Sequence, residues 1–253
     1  MKTNKQILFI ITFTISTISM VSCGNDDDDN RSPGESITTH KRVADFNGVE
    51  YDKEGRIVKS NDYPSVIYGE DEIEVTEKTG STTIRSVFHL NEDGLIASCD
   101  TERNGGVTTY TFEYDEYGRL IKRDGVINFI WDNDNIVKVT STKNNTIGRV
   151  LGTYTYSTDK YVGNVVDYIG YVDNITFYGQ FLIDYGYFGK RCKNLCTEYY
   201  SYNSEGNEVE QIFMWKYTLD KQGYITKVEE TYTSPSSGYT SYPSTVNILY
   251  RDL

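Results

Sequence analysis

The chain has 253 residues, with 37 Asp and Glu against 25 Lys and Arg and a formal net charge of −12. A surface this acidic repels nucleic acid and anionic lipid headgroups, which argues against DNA or RNA as a partner. Two histidines and four cysteines leave little material for a Cys/His metal site. The 23 tyrosines point instead to strands with half-buried rings or, more sharply, to a surface that stacks sugar rings.

At the N-terminus, Lys2 and Lys5 precede an apolar run from Ile7 to Ile18, short for a membrane span and suited to the h-region of a signal peptide. The run leads to Met20-Val21-Ser22-Cys23, with a small residue directly before the cysteine. This pattern predicts a lipoprotein in which residues 1–22 are removed and Cys23 is the lipidation site, its acyl chains making the membrane a partner. The segment 23–38 begins Cys23-Gly24-Asn25-Asp26-Asp27-Asp28-Asp29 and contains Pro33 and Gly34, so it reads as an acidic flexible tether. Residues 39–253 are expected to form a single antiparallel β domain.

Within that domain one segment recurs. Tyr51-Asp52-Lys53-Glu54-Gly55-Arg56-Ile57 matches Tyr114-Asp115-Glu116-Tyr117-Gly118-Arg119-Leu120. Looser copies start at Leu90, Tyr202 and Leu219, and a copy one residue shorter starts at Trp131. Asp or Asn can cap a turn through its side chain, and the Gly can take the left-handed position that closes a bulged hairpin. Each copy therefore predicts a chain reversal between strands. A calcium loop is the alternative at Asp132 and Asp134, but the twelfth position holds Lys143 where that loop needs Glu. Asn104-Gly105-Gly106 likewise reads as a hairpin turn and not as a phosphate-binding loop.

The flanks alternate with period two. Tyr110, Phe112 and Tyr114 fall on one face and Thr109, Thr111 and Glu113 on the other; Phe213, Trp215, Tyr217 and Leu219 oppose Met214, Lys216 and Thr218. The predicted fold is mainly β, an antiparallel up-and-down meander forming a curved sheet or partial barrel. Phe177, Phe181 and Tyr185, with Tyr178 and Leu182 beside them, predict a short helix near residues 176–187 that covers an open end or edge. The following stretch from Gly186 to Leu195 holds the densest basic cluster and reads as a solvated loop, with an anion or partner contact as the alternative. Cys99, Cys192 and Cys196 are either unpaired or include one local disulfide.

Cys23 followed by Asp26 to Asp29 resembles the surface-export signal of Bacteroidetes lipoproteins, which implies the outer face of the outer membrane; the alternative is a periplasm-facing anchor. The Tyr-Asp-x-x-Gly-Arg segments resemble the YD repeats of Rhs-type proteins, though the array is too short to build a cargo-enclosing shell. The whole chain is similar to Bacteroidetes lipoprotein families described as having a porin-like fold. That resemblance rests on Cys23 with Asp26 to Asp29, the repeated hairpins, and Gly186 to Leu195 ahead of Tyr199-Tyr200-Ser201-Tyr202-Asn203. It implies a curved sheet and brings no activity with it.

Three functions follow in order. The first is a non-catalytic binding or accessory module, with glycan as a possible ligand. The second is an envelope-assembly protein docking an outer-membrane partner. The third is a carboxylate-dependent hydrolase, for which 37 acids supply material but no nominated pair. His40 lies near the tether and His89 in a strand, so no Ser-His-Asp or Cys-His set stands out. The sequence nominates no catalytic, metal or cofactor-binding residue.

Overall fold

The computed structural model describes residues 41–43, 49–142, 148–158, 181–247 and 250–252. The expected leader 1–22, Cys23, the tether 23–38, His40, Lys143 and residues 176–180 of the expected helix lie outside the described residues. The strands, in chain order, are β1 (Lys41–Val43), β2 (Glu50–Tyr51), β3 (Ile57–Lys59), β4 (Ser65–Tyr68), β5 (Glu72–Thr79) and β6 (Thr82–Leu90). Then come β7 (Ile96–Arg103), β8 (Gly106–Tyr114), β9 (Leu120–Arg123), β10 (Ile127–Asp132), β11 (Asn135–Ser141) and β12 (Arg149–Tyr156). The one described helix, α1 (Phe181–Asp184), precedes β13 (Cys196–Tyr202), β14 (Val209–Leu219), β15 (Ile225–Ser234), β16 (Tyr239–Thr240), β17 (Ser244–Asn247) and β18 (Tyr250–Asp252).

From β4 to β16 each strand pairs antiparallel with its neighbour in sequence, and β17 pairs with β15, making a 14-stranded sheet. β1 pairs with β18 and β2 with β3 in separate two-stranded ladders. Among the described residues β4 pairs with neither β16 nor β17, so the sheet is an open meander and not a closed barrel.

The recurring segments are the hairpin turns their sequences predict. The Asp115 carboxylate accepts hydrogen bonds from the backbone N–H of Tyr117 (3.0 Å) and Arg119 (3.0 Å). Asn91, Asn203 and Asp220 cap their own turns through the same pair of positions. Gly118 closes its turn at φ 71°, in the left-handed region that favours glycine. In the short copy Asn133 (φ 47°) and Asp134 (φ 61°) form a tight reversal, so Asp134 of the calcium alternative serves as a turn residue.

A regular irregularity follows each turn on this end of the sheet. The register shifts between Glu50 and Tyr51, His89 and Leu90, Glu113 and Tyr114, Ile130 and Trp131, and Thr218 and Leu219. Such bulges bend the strand and increase its twist, which curves the sheet. The residue that follows each of these five turns is driven fully inside, unlike the exposed Asn207 and the residue after it beyond the Asn203 turn at the other end: Ile57, Ile96, Leu120 and Ile136 are 0% exposed and Ile225 is 1% exposed. Burying each contributes about 1.5–3 kcal/mol.

Their carbonyls are met by aromatic side chains from neighbouring strands. The Tyr68 hydroxyl donates to Ile57 (3.0 Å), Tyr114 to Ile96 (2.7 Å), the Trp131 indole N–H to Leu120 (2.8 Å) and Tyr156 to Ile136 (2.7 Å). Tyr217 does the same for Cys196, at 2.7 Å. Much of the tyrosine content is therefore structural: the ring fills the core while the hydroxyl satisfies a carbonyl at a bulge.

The helix spans only Phe181–Asp184 among the described residues, and Phe181, Leu182 and Ile183 are buried in the main core. The stretch after it, expected to be a solvated loop, is instead a buried strap laid across the row of bulged hairpins. Tyr185, Tyr187, Phe188, Cys192 and Leu195 are all buried. The bulged hairpins explain why the strap goes inside, because the N–H groups of the buried residues after the turns need acceptors. Ile57 N–H donates to the Tyr185 hydroxyl (2.8 Å), Ile96 N–H to the Tyr187 carbonyl (2.8 Å) and Ile136 N–H to the Cys192 sulfur (3.4 Å). Lys190 N–H reaches the Gly118 carbonyl at 2.8 Å, and the amides of Asn135 and Asn194 bond each other at 3.0 Å. Of the basic cluster Lys193 is exposed, and Lys190 stands 3.5 Å from Asp134.

Candidate functional site

The two faces of the sheet differ sharply in chemistry. The outer face carries Glu74 paired with Arg85 (2.6 Å), Lys122 near Glu113 (3.4 Å), and Lys227 with Glu229 (2.8 Å). The inner face carries the buried residues of β5 to β15, with the strap packed against one end. In β8 and β14 the apolar and polar sides are those the alternation predicts.

On β12 to β16 the inner face becomes a ladder of rings, set by register. Tyr154 lies opposite Tyr199, Tyr199 opposite Phe213, and Phe213 opposite Tyr232. The Tyr154 and Tyr199 rings stack at 5.0 Å, Tyr199 and Phe213 at 5.9 Å, and Phe213 and Trp215 at 6.0 Å with planes only 8° apart. Tyr232 leans on Phe213 at 5.2 Å, and Tyr239 continues the row at 6.2 Å. Gly152, opposite both Ser201 and Val139, makes the first stack possible. A β-carbon there would stand closer than 3.0 Å to the Tyr199 ring.

The ladder runs from core to solvent. Tyr154, Tyr199 and Trp215 are buried and Phe213 and Tyr232 half-buried, whereas Tyr239 is 56% exposed and nearby Tyr242 is 95% exposed. Exposed aromatic faces at the end of a rigid stack offer flat apolar platforms held by the sheet. One ionisable group stands among them. Glu230 lies opposite Trp215 and accepts its indole N–H at 2.7 Å. Burial raises the Glu230 carboxyl above its usual range, against the opposing effect of the Trp215 bond.

The other sequence candidates do not gather into a reacting set. Cys99, Cys192 and Cys196 are buried and not bridged to one another, so the local disulfide does not form. The Cys99 thiol, raised to about 11 by burial against the Thr101 bond, is a poor nucleophile. His89 lies on the outer side, 3.3 Å from Asp100, whose other oxygen accepts the Thr109 hydroxyl at 2.5 Å. There the carboxylate sits between hydroxyl and imidazole, so the histidine cannot take a proton from that hydroxyl directly. Among the described residues no group of three or more His, Cys, Asp or Glu is arranged to hold a metal ion. Glu230 was passed over in the sequence, though its spacing from Val228 and Tyr232 at two-residue steps places it on their face.

The sequence model of a family described as a domain of unknown function (DUF4595) with porin-like fold matches residues 49–227. No curated protein matches the chain. Among solved structures, a porin-like protein from Bacteroides uniformis ATCC 8492 superposes with a TM-score of 0.58 at 20% identity, covering 80% of this chain and 89% of the other. A second porin-like protein, from Bacteroides vulgatus ATCC 8482, gives 0.52 at 17% identity over 82% and 94%. These likenesses concern the fold. A lipid-spanning β-barrel needs an apolar exterior around a polar interior, and the sheet here has the reverse arrangement, with ion pairs outside and the core inside.

Proposed function

The protein belongs to the DUF4595 family with porin-like fold, and from that premise we propose that it is a non-catalytic, lipid-anchored surface protein that binds glycan. The reading rests chiefly on the aromatic ladder, whose outer rungs Tyr232 and Tyr239 lie at increasing exposure, with Glu230 two residues before Tyr232 on the same face. Sugar rings present apolar C–H faces and a rim of hydroxyls. Stacked aromatics match the faces, and a carboxylate oxygen accepts from the rim. The Trp215 N–H occupies one Glu230 oxygen and holds the group in place.

Address is part of the same reading. Cys23 receives the lipid, residues 23–38 form the tether, and the aspartates after Cys23 direct the protein to the outer face of the outer membrane. Replacing Cys23 by Ala would then release the protein from the membrane fraction, and protease added to intact cells would digest the wild type. Retention of Cys23→Ala in the membrane would defeat the anchor.

Glycan binding is tested by screening the soluble domain, residues 24–253, against an oligosaccharide array, followed by calorimetric titration of the hits. Tyr232→Ala and Tyr239→Ala are expected to weaken binding by roughly fivefold or more each, the loss of about 1 kcal/mol of ring stacking. A silent array, or hits indifferent to both substitutions, would remove the ladder as a glycan site.

A further inference from the structure

The ladder is polarised by one group. On β14 and β15 the inner-facing positions include Phe213, Trp215 and Tyr217, with Val228, Glu230 and Tyr232 across from them. Glu230 is the carboxylic acid in this set, and the neighbouring cations Lys216 and Lys227 are on the opposite face, where Lys227 is engaged with Glu229 at 2.8 Å. Tyr232, two residues on, and Phe213, diagonal across the pair, supply the nearest partly open rings. A ligand stacked on those rings therefore places its hydroxyl rim near a carboxyl group that the Trp215 N–H holds in place. An ionised carboxylate accepts hydrogen bonds and donates none, so it receives sugar hydroxyls and repels a second carboxylate or sulfate.

We propose that Glu230 is the specificity-determining residue of this surface, accepting hydroxyls of neutral sugars and excluding glycans that carry acidic groups at the stacked position. The inference rests on the reading of the ladder as a glycan surface. It adds the class of glycan and the residue that selects it.

The experiment uses matched pairs of probes: neutral hexasaccharides of glucose, mannose and galactose, each beside its C6-oxidised uronate counterpart. Each is titrated into the full mature domain at pH 7.5. The wild type is expected to bind at least one neutral hexasaccharide ten or more times tighter than its oxidised partner. Glu230→Gln keeps the shape and removes the charge, and is expected to narrow that ratio to within about threefold. Glu230→Asp keeps the charge and is expected to keep the discrimination, with matched thermal melting curves reporting the fold of both variants. An unchanged ratio in Glu230→Gln, while Tyr232→Ala still weakens binding, would overturn the selectivity role and leave the glycan surface standing. Binding of neither member of any pair, or binding indifferent to Tyr232→Ala, would overturn the glycan surface and the selectivity with it.

Discussion

Gly189→Ala tests how the strap is held. Gly189 adopts φ 84°, and a β-carbon there would stand closer than 3.0 Å to the Gly118 carbonyl oxygen, backbone that cannot swing aside. That same oxygen accepts the Lys190 N–H at 2.8 Å. Three effects combine. The left-handed conformation costs a residue with a β-carbon about 1–2 kcal/mol. Relieving the overlap costs about 1–3 kcal/mol, and losing the Lys190 bond about 1 kcal/mol. The expected loss is about 3–6 kcal/mol, a large share of the roughly 5–15 kcal/mol that holds a domain folded. Gly80→Ala is the control, because Gly80 has φ 60° with open space around it, so only the conformational part applies. With a urea slope of about 3 kcal/mol/M, Gly189→Ala should lower the midpoint by roughly 1–2 M and Gly80→Ala by less than about 0.7 M. Equal shifts for the two variants would refute the claim that the strap seats its backbone against the hairpins.

Other perturbations follow from single groups. Burial pushes the Glu77 carboxyl up to about 7, against the opposing Thr79 bond and with help from the Asp62 charge. A raised acid pKa means that its stability contribution is full below the unfolded value of 4.5 and is lost as pH rises through 7. Discounted for partial exposure, that is about 1–2 kcal/mol, and Glu77→Gln should abolish this part of the pH dependence in denaturation curves taken from pH 4 to 8. Tyr114→Phe removes the hydroxyl that meets the Ile96 carbonyl at 2.7 Å and should cost about 1–3 kcal/mol by chemical denaturation. Asp115→Ala removes the cap of its turn and the partner of Arg119 at 2.7 Å, for a loss of about 1–2 kcal/mol. Cys99, Cys192 and Cys196 should resist a thiol reagent in the native domain and react together once urea unfolds it, since all three are buried.

Burial works against the Asp115 carboxylate, but the Arg119 side chain and the backbone N–H groups of Arg119 and Tyr117 together hold it below the usual range. Its contribution is therefore present above the unfolded pKa and fades as pH falls through the folded one. Acid titration of the wild type should show this loss, and Asp115→Ala should not.

The chain reversals were legible because their rules are local. An Asx side chain three residues before a left-handed glycine dictates a turn whatever surrounds it, and so Asp52, Asn91, Asp115, Asn203 and Asp220 announced the hairpins. Alternation announced which side of β8 and β14 faces the core, because successive side chains point to opposite faces. The course of the strap was not legible. Gly186 to Leu195 looks polar and basic on average, and only the assembled row of bulged hairpins presents the N–H groups that draw Tyr185, Tyr187 and Cys192 inward. The ladder was legible as tyrosine abundance, but not as a site. Tyr154 and Tyr199 are joined by a connection of dozens of residues, and their stacking needs a strand register that no short window of sequence contains. Local conformation is encoded residue by residue. Which rings meet, and which carboxylate stands among them, depends on how the sheet curves, and the summed bulges set that curvature.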